Sequence, residues 1–170
     1  MAEGTILYEL HNPIIGIDDH GNIVLNAGAA PAGTPSRGRG GVVGKGIPYK
    51  VAISNAAGGT QYYSLVTFQV NDVLGNAIAQ VMDLDIYLSD AATGIGLTGT
   101  SASGGVTVPT SGAVLGILTA AKAFRVQTDA TGKAIMQIID SAKTGFYPVA
   151  ALSDMGVTVG AQLTSGSYHA

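Results

Sequence analysis

Nucleophilic catalysis needs a base held beside the nucleophile. The imidazoles available are His11, His20 and His169. Two stand in the first twenty residues and one is penultimate, so none is expected in the folded domain and a Ser–His–acid triad is not expected. Paired carboxylates are a second source of acid–base chemistry. Asp83 and Asp85 lie two apart and share a face on any strand, but the alternation around them makes that face the solvent side. A hard cation needs several oxygen ligands. Asp72, Asn76 and Asp90 are the candidates, and no loop carries the dense Asp/Asn spacing that such sites use. The chain has no cysteine, which excludes disulfides and thiolate metal centres.

Two glycine-rich stretches imitate phosphate-binding loops. "GIGLTG" (Gly94–Gly99) has the G-x-G-x-x-G spacing and follows a strand. A dinucleotide site also needs a helix opening at the third glycine, and the following "TSASGGVTVP" cannot form one. In "GGVVGKG", Gly46 replaces the Ser/Thr that a magnesium site requires and Arg39 replaces the first glycine. No cofactor is expected. Tyr62, Tyr63, Tyr87 and Tyr147 are candidates for an aromatic platform. Alternation places Tyr87 and Tyr147 opposite the core, where they could meet sugar or protein.

Of 170 residues, 46% are hydrophobic and only 11% charged, with a net charge of −3. About a quarter charged is usual. The deficit fits either a surface covered by a partner or one rich in Ser, Thr and Gly. Basic residues form no long patch, so nucleic acid is not expected as a partner. Glu3 and Glu9 stand where a secretion signal would be basic and apolar, and "AVLGILTAA" is too short for a membrane span. Synthesis and assembly in the cytoplasm, with no membrane partner, are the expectation.

The elements that would position these residues fall into two parts. Residues 1–46 read as an extended arm, with apolar patches "TILYEL" and "IVLN" followed by the Gly/Ala/Pro-rich Ala27–Gly46. From Ile47 the period becomes two. Ser64, Val66, Phe68 and Val70 share one face, and Met82, Leu84, Ile86 and Leu88 another. Further strands are expected at Ala113–Thr119, Ala123–Thr128, Ala134–Asp140, Phe146–Leu152 and Gly156–Thr164. "DATGK", "SAKTG" and "SDMG" supply the turns between them. Ala92–Gly112 reads as a long connection with at most weak edge strands. The fold class is all-β, an antiparallel sandwich over residues 47–170 preceded by the arm.

Thr128, Asp129, Gly132, Ala134, Gly145, Tyr147, Val149 and Ala151 fill a pattern that resembles the T-D-x-x-G-x-A … G-x-Y-x-V-x-A ending of bacterial immunoglobulin-like domains of the invasin and intimin type. Val70, Asp72, Gly75, Asn76 and Ile78 resemble their V-x-D-x-x-G-N-x-[VI] opening. The resemblance covers residues 60–152 and implies an immunoglobulin-like fold without catalytic residues. Single domains of this kind look like those of tailed-phage virion proteins. The resemblance implies a capsid decoration protein that contacts major capsid protein subunits on the virion surface, as a homo-oligomer with a trimer favoured. A tail or fibre component and a carbohydrate-recognition module are the alternatives. In the arm, Ile6, Leu7, Tyr8, Leu10, Ile23, Val24, Leu25, Arg37 and Arg39 are expected to bind the partner. "TILYEL" and "IVLN" would pair with its sheet.

Overall fold

The computed structural model describes residues 48–108, 111–152 and 156–170, together with the backbone of three strands near the N-terminus. The chain divides into two compact units, Met1–Lys45 and Gly46–Ala170.

In the first unit, β1 (Ile14–Ile17), β2 (Ile23–Asn26) and β3 (Gly41–Val42) form an antiparallel sheet in the order β1-β2-β3. The "IVLN" segment is therefore a middle strand. β1 pairs with all four of its residues, and β3 covers Val24 and Leu25 on the other side. Pairing of this segment with a partner's sheet was expected from the sequence. The ladder positions paired with β1 and β3 are used within the chain, and on the β3 side Ile23 and Asn26 are not among them. "TILYEL" lies outside the described residues.

The described residues of the second unit form nine strands: β4 (Pro48–Ala57), β5 (Tyr63–Asp72), β6 (Asp83–Ser89), β7 (Gly105–Thr107), β8 (Ala113–Thr119), β9 (Ala123–Gln127), β10 (Lys133–Ile139), β11 (Tyr147–Leu152) and β12 (Gly156–Val159). They form a four-stranded sheet, β4-β5-β10-β7, and a five-stranded sheet, β12-β11-β6-β9-β8. Every pairing is antiparallel. The two sheets pack as a sandwich, and the strand order follows the A-B-E-D and G-F-C-C′-C″ layout of nine-stranded immunoglobulin-like domains. The connections between the C-like β6 and the E-like β10 depart from that layout. β7, in the D position, precedes the C″-like β8 and the C′-like β9 in the chain.

Alternation builds the core. On β5, Ser64, Val66, Phe68, Val70 and Asp72 are buried, and on β6 Leu84, Ile86 and Leu88 are. Ala134, Met136 and Ile138 of β10 meet them from the same layer as β5. Each large apolar side chain so enclosed contributes about 1.5–3 kcal/mol relative to exposure. The last residues close one end. Leu163 and Tyr168 are buried, and the Leu163 amide donates to the Phe146 carbonyl at 2.8 Å. The His169 amide donates to the Tyr63 carbonyl at 2.9 Å, while the Tyr62 amide donates to the His169 carbonyl at 3.0 Å. His169, expected outside the folded domain, is thus tied into it by its backbone, although its side chain is exposed.

Candidate functional site

The carboxylates are the natural place to look for chemistry, and three of them repeat one local structure. Asp72 Oδ1 accepts hydrogen bonds from the amides of Leu74 (2.9 Å) and Asn76 (2.8 Å). Asp129 Oδ1 accepts from Thr131 (2.8 Å) and Lys133 (3.1 Å). Asp140 accepts from Ala142 at Oδ1 (3.3 Å) and from Thr144 at Oδ2 (2.7 Å). Each aspartate therefore holds the amides two and four residues ahead. In each turn the amide three residues ahead donates to the aspartate's own carbonyl: Gly75, Gly132 and Lys143. Those three residues have φ of 84°, 73° and 52°, the left-handed region that glycine enters without a steric penalty. The D-x-x-G pattern in the sequence is the signature of this turn.

The electrostatics follow from that geometry. The Thr131 hydroxyl, together with the amides of Lys133 and Thr131, holds the Asp129 carboxyl down at about 2. Burial pushes Asp140 upward, but hydrogen bonds from Thr144 and Ser103 outweigh it and leave the group below the usual range. Burial also raises the Tyr168 phenol, with the Asp140 charge adding to it, and its hydroxyl donates to the Thr144 carbonyl at 2.7 Å. All three carboxylates are turned toward backbone amides.

Asp85 is engaged as well. The Arg125 guanidinium grips it through Nε (2.7 Å) and a terminal nitrogen (2.8 Å), which lowers its pKa. The pair bridges neighbouring strands on the outer face of the five-stranded sheet. Asp83, two residues away, is exposed and accepts a 3.4 Å bond from Gln127. Asp90 accepts from the Thr98 hydroxyl (2.6 Å) and the Gly99 amide (2.7 Å), and Lys122 Nζ donates to the carbonyls of Thr98 and Gly99. Asp72 ends β5 and Asp90 follows β6, and among the described residues no group of three or more His, Asp or Glu gathers as a metal site.

"GIGLTG" acts as a cover. Gly94 lies over β11 and β12, and a Cβ there would come within 2.6 Å of Val159 and 3.3 Å of Val149. Val149 faces outward from the sandwich yet is fully buried, because this loop shields it. The Tyr87 hydroxyl donates to the Gly94 carbonyl at 2.8 Å, so its polar end is used internally. Tyr147 lies diagonally across from Tyr87 on the same face, through the Val149–Tyr87 pair, and both are half-buried. The sequence thus placed them on one face, but the loop removes part of that platform.

Large apolar side chains are exposed as well. Ile95 is 80% exposed at the tip of the covering loop. On β8, Val114, Leu115, Ile117 and Leu118 are 44–66% exposed. Of the residues expected to bind a partner, Ile23, Val24 and Leu25 fall on β2. Ile6, Leu7, Tyr8, Leu10, Arg37 and Arg39 lie outside the described residues. The described helical structure is one short 3-10 turn, and no described helix is long and apolar enough to cross a membrane. Comparison of the chain with protein-family profiles, curated proteins and solved structures finds no match.

Proposed function

We propose that the protein is a structural component of a phage virion, a capsid decoration protein that stabilises the head by burying surface against major capsid protein subunits. The observation that carries this reading is the division of labour among side chains. Asp72, Asp129 and Asp140 are spent on backbone amides and Asp85 on Arg125, while large apolar side chains stand exposed on β8 and on the covering loop. Such a molecule acts by area burial, not by bond-making. The low charge content and the resemblance to invasin-type immunoglobulin-like domains support the same role. Residues 1–46 attach to the head, and the sandwich projects or bridges neighbouring subunits.

Co-sedimentation tests this. The full chain mixed with empty heads of the phage that encodes it should pellet with them at a fixed ratio, and a chain lacking residues 1–46 should stay in the supernatant. A full chain that remains in solution, or a deletion that pellets undiminished, contradicts the proposal. Cryo-electron imaging of the virions then separates head from tail. Regular density on the head supports decoration, and density confined to the tail or fibres replaces it with the tail reading.

A further inference from the structure

We propose that β8 is a self-association edge, through which two copies of this chain meet about a two-fold axis at Gly116. Among the described residues the sandwich has four edge strands. Sheet edges offer unpaired backbone groups and are usually blunted by shortness, charge, proline or bulges. β7 and β12 are only three and four residues long. β4 begins at Pro48 and carries an exposed Lys50. β8 is seven residues long, with neither charge nor proline, and its two bulges are the one blunting device it carries: "AVLGILT".

Its sequence is nearly self-complementary when run against itself. An antiparallel pair centred on Gly116 sets Leu115 against Ile117 and Val114 against Leu118, so apolar meets apolar at each of these positions. An isologous contact needs this kind of match, since each residue meets its symmetry mate's partner. The match makes a second copy the fitting occupant. A charged partner strand would find nothing to pair with here. Gly116 suits the centre because a Cβ on it would meet nothing within 4 Å, leaving the backbone open to close approach.

The bulges set the kind of contact. The register against β9 slips between Val114 and Gly116 and again between Ile117 and Thr119, which makes Leu115 and Leu118 the extra residues. Bulges interrupt a continuous ladder, so the seam rests on side chains from the edge more than on an unbroken run of backbone bonds. A seven-residue edge is only about 23 Å long. That places it at the low end of interface sizes, among weak and transient contacts. The seam closes as a dimer, in place of the trimer expected from the resemblance. It also stands apart from the head-binding proposal, because it is read on the protein alone.

Sedimentation equilibrium of the full chain over a range of concentrations tests it. The expected result is a monomer–dimer equilibrium. Ile117→Lys and Gly116→Glu should each weaken it at least tenfold, the latter by setting two like charges on the axis. Val157→Lys, at an exposed apolar position on the opposite edge strand β12, should leave it unchanged, and circular dichroism should show all three variants folded. A wild-type mass of one chain or of three at every concentration overturns the proposal. So does a dimer that survives both β8 substitutions, or one that Val157→Lys also dissolves.

Discussion

β8 and β10 are each seven residues long and rich in apolar side chains, yet their fates are opposite. β10 lies between β5 and β7 and buries Ala134, Met136 and Ile138 completely. β8 is an edge and leaves Ile117 66% exposed. The more uniformly apolar of the two strands is the one facing solvent. A continuous apolar run ordinarily marks a strand buried on both faces, and alternation one buried on a single face. The reversal shows that burial depends on which neighbours a strand acquires. It also shows where the molecule keeps apolar surface unspent.

The largest expected effect breaks the comparison at its buried side. Met136→Ala should cost about 2–5 kcal/mol in urea denaturation, as a fully enclosed side chain leaves a cavity. Leu118→Ala in dilute protein should stay within about 0.5 kcal/mol, as at ordinary surface positions. Equal costs would mean that β8 is packed as tightly as β10.

The turn feeding β10 gives the next contrast. Gly132→Ala places a Cβ into the Ile78 carbonyl oxygen at positive φ. Strain and overpacking together should cost about 3 kcal/mol. Gly75→Ala occupies the same position in its turn but meets open space, so only the backbone strain of about 1–2 kcal/mol remains. Thermal denaturation of the two variants should rank them in that order.

Acid should loosen the same turns. A carboxyl whose folded pKa lies below its unfolded value stabilises the fold while ionised. For Asp129 that contribution is complete above the unfolded value of about 4. It is lost as pH falls through the folded value, about 2. The stability gap between wild type and Asp129→Asn should therefore narrow as pH drops from about 5 toward 2. A gap constant across that window would mean that the Thr131 and Lys133 bonds do not favour the charged form. A small gain belongs to Lys143, which holds the turn position that glycine fills elsewhere, at φ 52°. Lys143→Gly should raise stability by up to about 1 kcal/mol, as relief of that strain exceeds the added chain entropy.

Much of this fold could be read from the chain. Strands β5 and β6 alternate so regularly that their inner residues follow directly, and Gly75 and Gly132 announce their turns. β4 was harder, because only Val51 is fully buried while Ile53 is half-covered and its neighbours are small or polar. β7 has three residues, too few for a period to emerge. Pairing order is a property of the whole sheet, which explains why "IVLN" looked available and proves to be a middle strand. The shared i+2 and i+4 bonding of Asp72, Asp129 and Asp140 was half-visible. Two of these turns carry the D-x-x-G pattern, while the third hides behind Lys143. The covering role of "GIGLTG" left no local signal, since it depends on Val149 and Val159 far along the chain.

Amide hydrogen exchange of the full chain compares the two strands directly. Amides of β10 should exchange only with global unfolding, at every protein concentration. Amides of β8 facing away from β9 should exchange quickly in dilute solution and gain protection as concentration rises. β8 amides that exchange alike in dilute and concentrated protein, or β10 amides that exchange as fast as those of β8, would contradict an account in which one apolar strand forms the core and the other is held ready for a partner.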